Sequence, residues 1–426
     1  MAVSIPAAPS PPSTAQLHPG LSLSQCLAGA FAWCGLLALA AIAISTAWPA
    51  AGRLTPAAFS NWDAEHYLHI RRHGYDVMRT AFFPLFPFLW RGLGVSPVAM
   101  GLLNLALFAG SFAVLAWQFA WSWRQQALAL TVPSLLFMAV PYSEAVFFAS
   151  GVLVLVGLRR NHTGLYCLGL LLSCASRSAA FVLLPAVLST ALLAAPAARP
   201  RAVQVAAAAL ATLAGLGISV LVHYAYTGRW FVFFAAQRLW NNSLRWPTLP
   251  LTNWGGSFTT RFEAPVLLVG VGCAAVLGWR AWRHLKQAQP NPTPPTVFAL
   301  TYVAGITLLT LATKGGVLVS LSRYVYATPY FLLLLAGFVS QPRLSTRQLL
   351  ALLGLMELAW VGLFGAAGHI RTLLGFTLVS GCVLLWLANA HRHPRVRRYA
   401  LLPTLLVGTG LLLVLFFRFI RHEWVA

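Results

Sequence analysis

Acidic residues are scarce in this sequence. Only seven of its 426 residues are Asp or Glu, and charged residues make up 8% of the chain, whereas about a quarter is usual in a soluble domain. Hydrophobic residues account for 59%. This balance excludes an ordinary soluble globular protein. Because apolar runs recur near the ~20 residues that cross a bilayer, the sequence predicts a polytopic membrane protein.

Two further features that the sequence lacks restrict the possibilities. The first 25 residues contain no Lys or Arg, so they lack the basic region of a cleaved signal peptide. We therefore predict a short disordered tail over residues 1–25 before an uncleaved first helix. There is also no CxxC motif, and we expect the cysteines to be small core residues without a disulfide or a thiolate metal site. All six lie in or beside apolar runs: Cys26, Cys34, Cys167, Cys174, Cys273 and Cys382.

The excess of positive charge does not indicate a nucleic-acid-binding protein. The formal net charge is +22, but the basic residues are spread over the loops between apolar runs instead of forming one patch. Loops of this kind lie beside lipid head groups and lipid phosphates. Membrane lipids, and no nucleic acid, are therefore the expected partners of these residues.

Hydropathy predicts an all-α transmembrane helical bundle of about 11–13 spans, with one domain over residues 26–426. Two long connections, about 50–96 and about 226–263, are expected on the outer side. With these two loops set aside and the N-terminus cytoplasmic, the remaining basic residues are concentrated inside, as the positive-inside rule expects. The thirteen predicted helices cover residues 26–49, 97–121, 127–141, 144–158, 163–176, 179–195, 203–225, 264–279, 296–313, 323–340, 348–368, 372–390 and 400–418.

The segment from Asn61 to Leu89 contains three of the seven acids, Asp63, Glu65 and Asp76. A carboxylate just outside an apolar span can act as a general base toward a hydroxyl. Spacing alone favours a plainer interpretation, in which Asn61 or Asp63 caps a helix that begins there.

Three histidines follow Asp63 on one face of the same helix, at positions 66, 69 and 73. With Asp63 they could bind zinc, but the spacing is not that of a known zinc motif. We predict no metal site and no cofactor.

The apolar stretch AFFPLFPFL, residues 81–89, carries Pro84 and Pro87. Two prolines so close together do not fit inside a regular helix, so we expect a broken or re-entrant segment. It either lines a cavity within the protein or begins the next helix at its proline.

An acid and two arginines lie at predicted ends of spans. Glu144, in PYSEAVFF (141–148), is a candidate functional residue because an acid within an apolar run is costly; otherwise Ser143 caps a helix with Glu144 in its first turn. Arg177 and Arg323 could bind a phosphate, pair with Glu144, or extend toward the membrane surface.

The second long loop is rich in polar and aromatic side chains. Such planar groups suit sugar binding, and they equally suit a membrane-interface belt. They are His223, Tyr224, Gln237, Arg238, Trp240 and Asn241.

These motifs together resemble the PIG-V-like family, relatives of the second mannosyltransferase of GPI-anchor synthesis within the GT-C class. The ordered match covers residues 60–180: WDAEHYLHIRRHGYD, AFFPLFPFL and then PYSEAVFF. SRYVYATPYF (322–331) and the region around Gln237 to Trp240 look similar as well. The helix after Trp62 and Asp63 is more basic than in relatives, with RRH at 71–73.

The resemblance implies an inverting transferase that moves a sugar, usually mannose, from a polyprenyl-phosphate donor to a glycan or glycolipid acceptor at the outer or lumenal face. It implies that Asp63 is the general base, oriented by Glu65 or His66, and that Arg177 and Arg323 stabilise the departing phosphate. The residues it implies for the substrate site are Trp62, Glu65, His66, Tyr67, Tyr142, Ser143, Glu144, Arg177, Gln237, Arg323 and Tyr324.

Two other functions fit the composition. A flippase or transporter of lipid-linked glycans also needs many spans, outer basic residues and a polar cavity, although we find no internal inverted repeats. An inactive relative that only binds lipid is the third possibility, against which the presence of Asp63 argues. Abundant Ala, Leu and Arg indicate a GC-rich bacterial genome, so we expect the bacterial plasma membrane, or the ER membrane if the chain is eukaryotic.

Overall fold

The structure is a computed structural model that describes residues 20–195, 199–286, 292–339, 345–364, 374–375 and 394–425. Within these residues the regular elements are helices, apart from one isolated bridge between Thr252 and Val317. The predicted all-α polytopic helical bundle is confirmed.

The described residues contain sixteen α-helices with assigned bounds, numbered here in chain order. Their bounds are α1 Leu23–Ala47, α2 Asp63–His73, α3 Leu85–Leu93, α4 Pro97–Gln118, α5 Trp123–Leu130, α6 Glu144–Arg160, α7 Thr163–Ser176, α8 Leu183–Leu193, α9 Ala202–Thr227, α10 Val232–Leu239, α11 Gly256–Leu285, α12 Pro294–Lys314, α13 Leu321–Tyr326, α14 Pro329–Val339, α15 Thr346–Phe364 and α16 Pro394–Ile420.

Six of these helices are long and apolar enough to cross a membrane. Their apolar segments lie within α1, α4, α9, α11, α12 and α16 and are 20 to 26 residues long. A hydrocarbon core of ~30 Å requires ~20 residues. Four shorter apolar helices accompany them, in α7, α8, α14 and α15. The protein is therefore membrane-embedded.

The centre of the bundle is α6, most of whose side chains are buried. Close contact with α7 depends on small residues. A Cβ at Gly169 of α7 would lie 2.6 Å from the Ser150 carbonyl oxygen of α6 and 2.6 Å from the Val154 nitrogen. Small residues let membrane helices approach closely without a hydrophobic driving force between them. The contact holds α7, which ends at Ser176, against α6, which begins at Glu144.

The predicted helix boundaries fail at several points. The first helix begins at Leu23, inside the predicted tail, because Ser22 and Gln25 form a capping box there. The helix predicted over 127–141 is instead α5 followed by a 3-10 turn at Pro133–Met138. The helix predicted over 323–340 is two helices, α13 and α14, since α14 starts at a proline. The prediction over 372–390, residues 374–375 apart, lies outside the described residues, as do residues 1–19 of the tail.

The stretch 81–89 combines both of its interpretations. Pro84 is the N-cap of α3, and Pro87 lies in the first turn of that helix, where its missing N–H is not needed. Phe82 just before it has extended backbone and lines the cavity described below. The prediction of a broken segment is confirmed.

The two long loops meet on one side of the molecule. The Trp240 indole Nε1 donates to the Met78 carbonyl oxygen at 3.1 Å, and Arg91 Nη1 donates to the Tyr226 hydroxyl at 3.2 Å. Residues far apart in sequence thereby enclose a common space above the ends of the central helices.

Candidate functional site

Four buried or half-buried charges form one ion-pair cluster between the two loops. The Arg323 guanidinium contacts two carboxylates: its Nη1 lies 2.6 Å from Asp63 Oδ2, and its Nε contacts Glu144 Oε1. Arg177 Nη1 lies 2.6 Å from the same oxygen of Glu144. The formal charges of the four groups cancel, which is the condition under which charges are tolerated away from water.

Asp63 is the most exposed member of this cluster, with 23% of its side chain accessible. It is the first residue of α2, but the preceding Trp62 is the N-cap and no side chain caps the helix. The helix thus begins at Asp63 and has acids in its first turn, as the capping interpretation predicts, but neither Asn61 nor Asp63 caps it, and the Asp63 carboxylate binds Arg323 instead. Trp62 has φ 57° and ψ −123°, a backbone conformation that is rare for a bulky residue and recurs at functional sites.

Tyr142 and Asn61 fix the backbone around Asp63. The Asp63 N–H donates to the Tyr142 hydroxyl at 3.2 Å, and that hydroxyl donates to the Asn61 carbonyl oxygen at 3.4 Å. The Tyr142 ring also lies under the Arg323 guanidinium, 4.5 Å from its centroid, a favourable cation–π distance. Tyr142 therefore contacts both members of the Asp63–Arg323 pair.

Glu144 is held at the start of α6 by its neighbours. Ser143 is the N-cap residue, but its side chain makes no capping hydrogen bond; its Oγ accepts a hydrogen bond from the Tyr67 hydroxyl at 2.9 Å. Asn104 of α4 donates to the carbonyl oxygens of Val140 and Tyr142 at 2.7 and 2.8 Å. The turn before α6 is thus fixed to α4, and Glu144 is only 1% exposed.

The arginines reach Glu144 from two helix ends. Arg177 is the C-cap of α7 and has extended backbone. Arg323 lies in the short helix α13, whose first turn is held by Glu263 of α11: the Ser322 N–H donates to Oε2 at 2.6 Å, and the Ser322 hydroxyl donates to Oε1 at 2.8 Å. A carboxylate at this end of a helix binds free N–H groups and favours the helix dipole.

A cavity of ≈ 130 Å³ opens above the cluster. Its lining combines buried polar side chains, among them Arg177 and Arg323, with three more exposed tryptophans from different parts of the chain, and we call this more exposed, aromatic part the mouth. The lining residues are Asp63, Tyr67, Ala81, Phe82, Phe83, Ser176, Arg177, Ser178, Gln237, Trp240, Asn242, Trp254, Lys314, Val319, Ser320, Arg323, Tyr324 and Trp424. A mostly preformed pocket with a few convergent polar groups is typical of ligand sites.

The structure places the predicted site residues in two groups. Six line the cavity: Asp63, Tyr67, Arg177, Gln237, Arg323 and Tyr324. Tyr142, Ser143 and Glu144 lie behind them and hold them. Trp62 contacts the lining residue Trp424, with ring centroids 5.0 Å apart.

Glu65 and His66 do not take the predicted position, in which one of them would orient the Asp63 carboxylate. Glu65 is exposed, and the His66 ring stacks on Phe82 at 4.9 Å and meets the edge of Trp240 at 5.1 Å. Burial lowers the pKa of His66, while the charge of Asp63 acts in the opposite direction. Arg323 and Tyr142 take the orienting positions that had been assigned to Glu65 or His66.

The histidines of α2 do not converge on a metal position. His69 and His73 have ring centroids 4.9 Å apart, whereas the His66 ring packs against Phe82 and Trp240. Across the described ranges, no group of three His, Cys, Asp or Glu residues is arranged to hold a metal ion.

Several residues of the site escaped the sequence analysis. Glu263 is an acid within an apolar run, so the argument applied to Glu144 could have found it. Lys314, Trp254 and Trp424 carried no comparable signal, because a cation or tryptophan at the end of a span is ordinary at a membrane surface.

Comparison with known proteins gives no relative: no family model, no curated protein and no solved structure matches this chain. The resemblance to the PIG-V-like family stays a prediction.

Proposed function

We propose that this protein is an integral-membrane inverting glycosyltransferase that moves a sugar, with mannose as the expected sugar, from a polyprenyl-phosphate donor to a hydroxyl group of a glycan or glycolipid. One observation carries the proposal: a partly exposed carboxylate, Asp63, lies at a cavity whose wall also holds two buried arginines and whose mouth is aromatic. This arrangement supplies a base, cationic groups for a phosphate, and ring surfaces for a sugar.

In this mechanism Asp63 accepts the proton of the acceptor hydroxyl. The ion pair with Arg323 uses Oδ2, so Oδ1 is the oxygen that faces the hydroxyl. As the acceptor oxygen bonds to the sugar C1 carbon, the bond between C1 and the phosphate oxygen breaks, and its electron pair leaves with the polyprenyl phosphate. Attack opposite the leaving group inverts C1, and Arg323 keeps the carboxylate oriented throughout.

The arginines and Lys314 stabilise the departing phosphate. A guanidinium has five N–H donors, and the ion pairs engage Nη1 of Arg177 and both Nε and Nη1 of Arg323. The remaining donors can bind phosphate oxygens, where charge develops in the transition state. Lys314 adds a cation to the same wall, with its Nζ 5.3 Å from the Trp254 ring centroid.

The test is transfer of label from polyprenyl-phosphate-mannose in washed membranes that contain the protein, with Asp63→Asn as the key variant. Loss of a general base predicts a fall in rate of at least about 100-fold. Asp76→Asn, which removes a carboxylate from the same loop outside the cavity lining, is the matched control and should transfer at the wild-type rate.

Two outcomes contradict the proposal. Wild-type protein that transfers no label from this donor would instead favour another donor or the transport of lipid-linked glycans. Equal transfer by Asp63→Asn would remove Asp63 as the base. Because Asp63→Asn also weakens the pair with Arg323, its thermal unfolding midpoint must be measured beside its activity, so that misfolding is separated from lost chemistry.

A further inference from the structure

The segment that follows α16, residues 421–425, packs against the start of α2 together with the end of α16. The Asn61 amide donates to the Phe419 carbonyl oxygen at 2.7 Å, and His422 Nδ1 lies 2.8 Å from Asn61 Oδ1. The His422 ring stacks on Trp62 with centroids 4.6 Å apart. The two residues that precede Asp63 are therefore both held by this distant part of the chain.

The turn that carries Trp424 is itself fixed. Glu423 lies 3.0 Å from Arg418 and 2.8 Å from Arg421 across the end of α16. Val425 is 6% exposed and belongs to a buried apolar cluster with Ile420. Glu423 and Val425 thus fix the segment on either side of Trp424.

Trp424 lines the cavity at its mouth. Its ring meets the edge of Trp62 at 5.0 Å and lies 6.3 Å from the Trp254 ring. The indole Nε1 of Trp424 is buried, yet it has no hydrogen-bond partner within the described part of the chain. The indole N–H can only donate, and a buried donor without an acceptor is rare in a native protein and calls for an explanation.

We propose that Trp424 is a substrate-binding residue that holds a sugar ring of the substrate next to Asp63. The indole N–H donates to a sugar oxygen, which gives the buried donor the acceptor it lacks. Asn61 and His422 are positioning residues that act through Trp62 and the 421–425 segment. The inference rests on the proposed function only in taking a sugar as the ligand.

A purely structural tryptophan would behave differently. Replacement by Phe keeps an aromatic ring against Trp62 and removes the N–H, so a packing role would be largely preserved, whereas sugar binding would weaken. Trp246 offers a matched control, because it lies in the second loop with 92% of its surface exposed and outside the cavity lining.

The experiment measures binding without relying on transfer. Full-length protein is purified in a polyoxyethylene detergent, which carries no sugar, and is titrated with octyl β-D-mannopyranoside or with an octyl polyoxyethylene ether of similar size. The readout is the rise in thermal unfolding midpoint with probe concentration, since a ligand that binds only the folded state stabilises it. We expect the mannoside, and not the ether, to raise the midpoint of the wild type.

We expect Trp424→Phe to raise the apparent Kd for the mannoside about tenfold, the loss expected for one hydrogen bond. Trp424→Leu should abolish the mannoside effect, and Trp246→Leu should leave it unchanged. The inference is overturned if wild type gives no mannoside-specific shift, or if Trp424→Phe binds as tightly as wild type. Trp424→Phe decides the matter if Trp424→Leu does not fold.

The outcome separates this inference from the proposed function. Mannoside binding that depends on Trp424, without transfer in membranes, would leave a glycan-binding site and remove the transferase. Transfer that depends on Asp63, with wild-type KM in Trp424→Phe, would retain the transferase and remove Trp424 from its site.

Discussion

Glu144 and Glu263 are two buried carboxylates that hold the same short helix, α13, by different means. Glu144 binds the side chain of Arg323 and also that of Arg177. Glu263 binds the backbone N–H and the hydroxyl of Ser322, and it has no salt bridge among the residues described. The first acid neutralises the arginines, while the second fixes the helix that presents one of them.

The comparison shows that the placement of Arg323 depends on both acids. A charge pair alone attracts a long side chain without fixing the backbone beneath it, and a helix cap fixes the backbone without neutralising a guanidinium. The Asp63–Arg323 pair at the cavity therefore has one support from charge and another from hydrogen bonding. The two supports should differ in how much stability is lost when each is removed.

The largest effect is expected for Glu144→Gln. This change leaves Arg177 and Arg323 buried with only Asp63 to balance them, and breaking a buried ion pair from one side costs about 3–5 kcal/mol. We expect a strongly lowered thermal unfolding midpoint in detergent. Adding Arg177→Gln to the same chain restores the charge balance and should recover part of the loss, a coupling that a double-mutant cycle measures.

A double variant no more stable than Glu144→Gln alone would contradict this account. It would mean that Glu144 acts through shape or hydrogen bonding, as Glu263 does, and that the two acids do not differ in kind.

A smaller effect is expected for Glu263→Gln. The amide keeps one acceptor oxygen for Ser322 and turns an N–H₂ group toward the other donor, so about 1–3 kcal/mol should be lost. Because no arginine is left unbalanced, a second substitution at Arg177 should not recover it. Ser322→Ala removes only the hydroxyl bond and should cost less, about 0.5–1.5 kcal/mol. Equal losses for Glu263→Gln and Glu144→Gln would remove the distinction between the two acids.

These two acids also show how far sequence reasoning reaches. Glu144 was found because an acid in an apolar run is conspicuous, and Arg177 and Arg323 because basic residues marked the ends of predicted spans. Pairing of the arginines with Glu144 was one of three alternatives, since spacing does not say which helix ends meet. Hydropathy located the long helices, but it predicted one helix over 323–340 where the structure has α13 and α14. It therefore placed Arg323 at the end of a long span, whereas Arg323 lies in a short separate helix.

The aromatic mouth was beyond the reach of the sequence for a different reason. Trp240, Trp254 and Trp424 come together only because two loops and the segment after α16 fold over one cavity. Each tryptophan alone is indistinguishable from an interface anchor. Contacts of such long range carry no local pattern, so the structure was needed to find them.

The smallest effect is expected at Asp76, an exposed acid that contrasts with both buried ones. Its side chain is 44% exposed and pairs with Arg79. Burial acts to raise the pKa of Asp76, but hydrogen bonds from the Arg79 N–H and guanidinium outweigh it and lower the pKa. A carboxyl group with a lowered folded pKa adds stability above its unfolded pKa, about 3.9, and that stability is lost as the pH falls through the folded value. Asp76→Asn should therefore lower the free energy of unfolding at about pH 7 by less than about 1 kcal/mol. The difference in this free energy between the variant and wild type should vanish toward about pH 3.

High salt should shrink the stability difference between Asp76→Asn and wild type, because exposed charges are screened, while leaving the effect of Glu144→Gln nearly intact. A difference that grows on acidification, or that ignores salt, would show that Asp76 is held like a buried acid and that exposure does not separate these carboxylates.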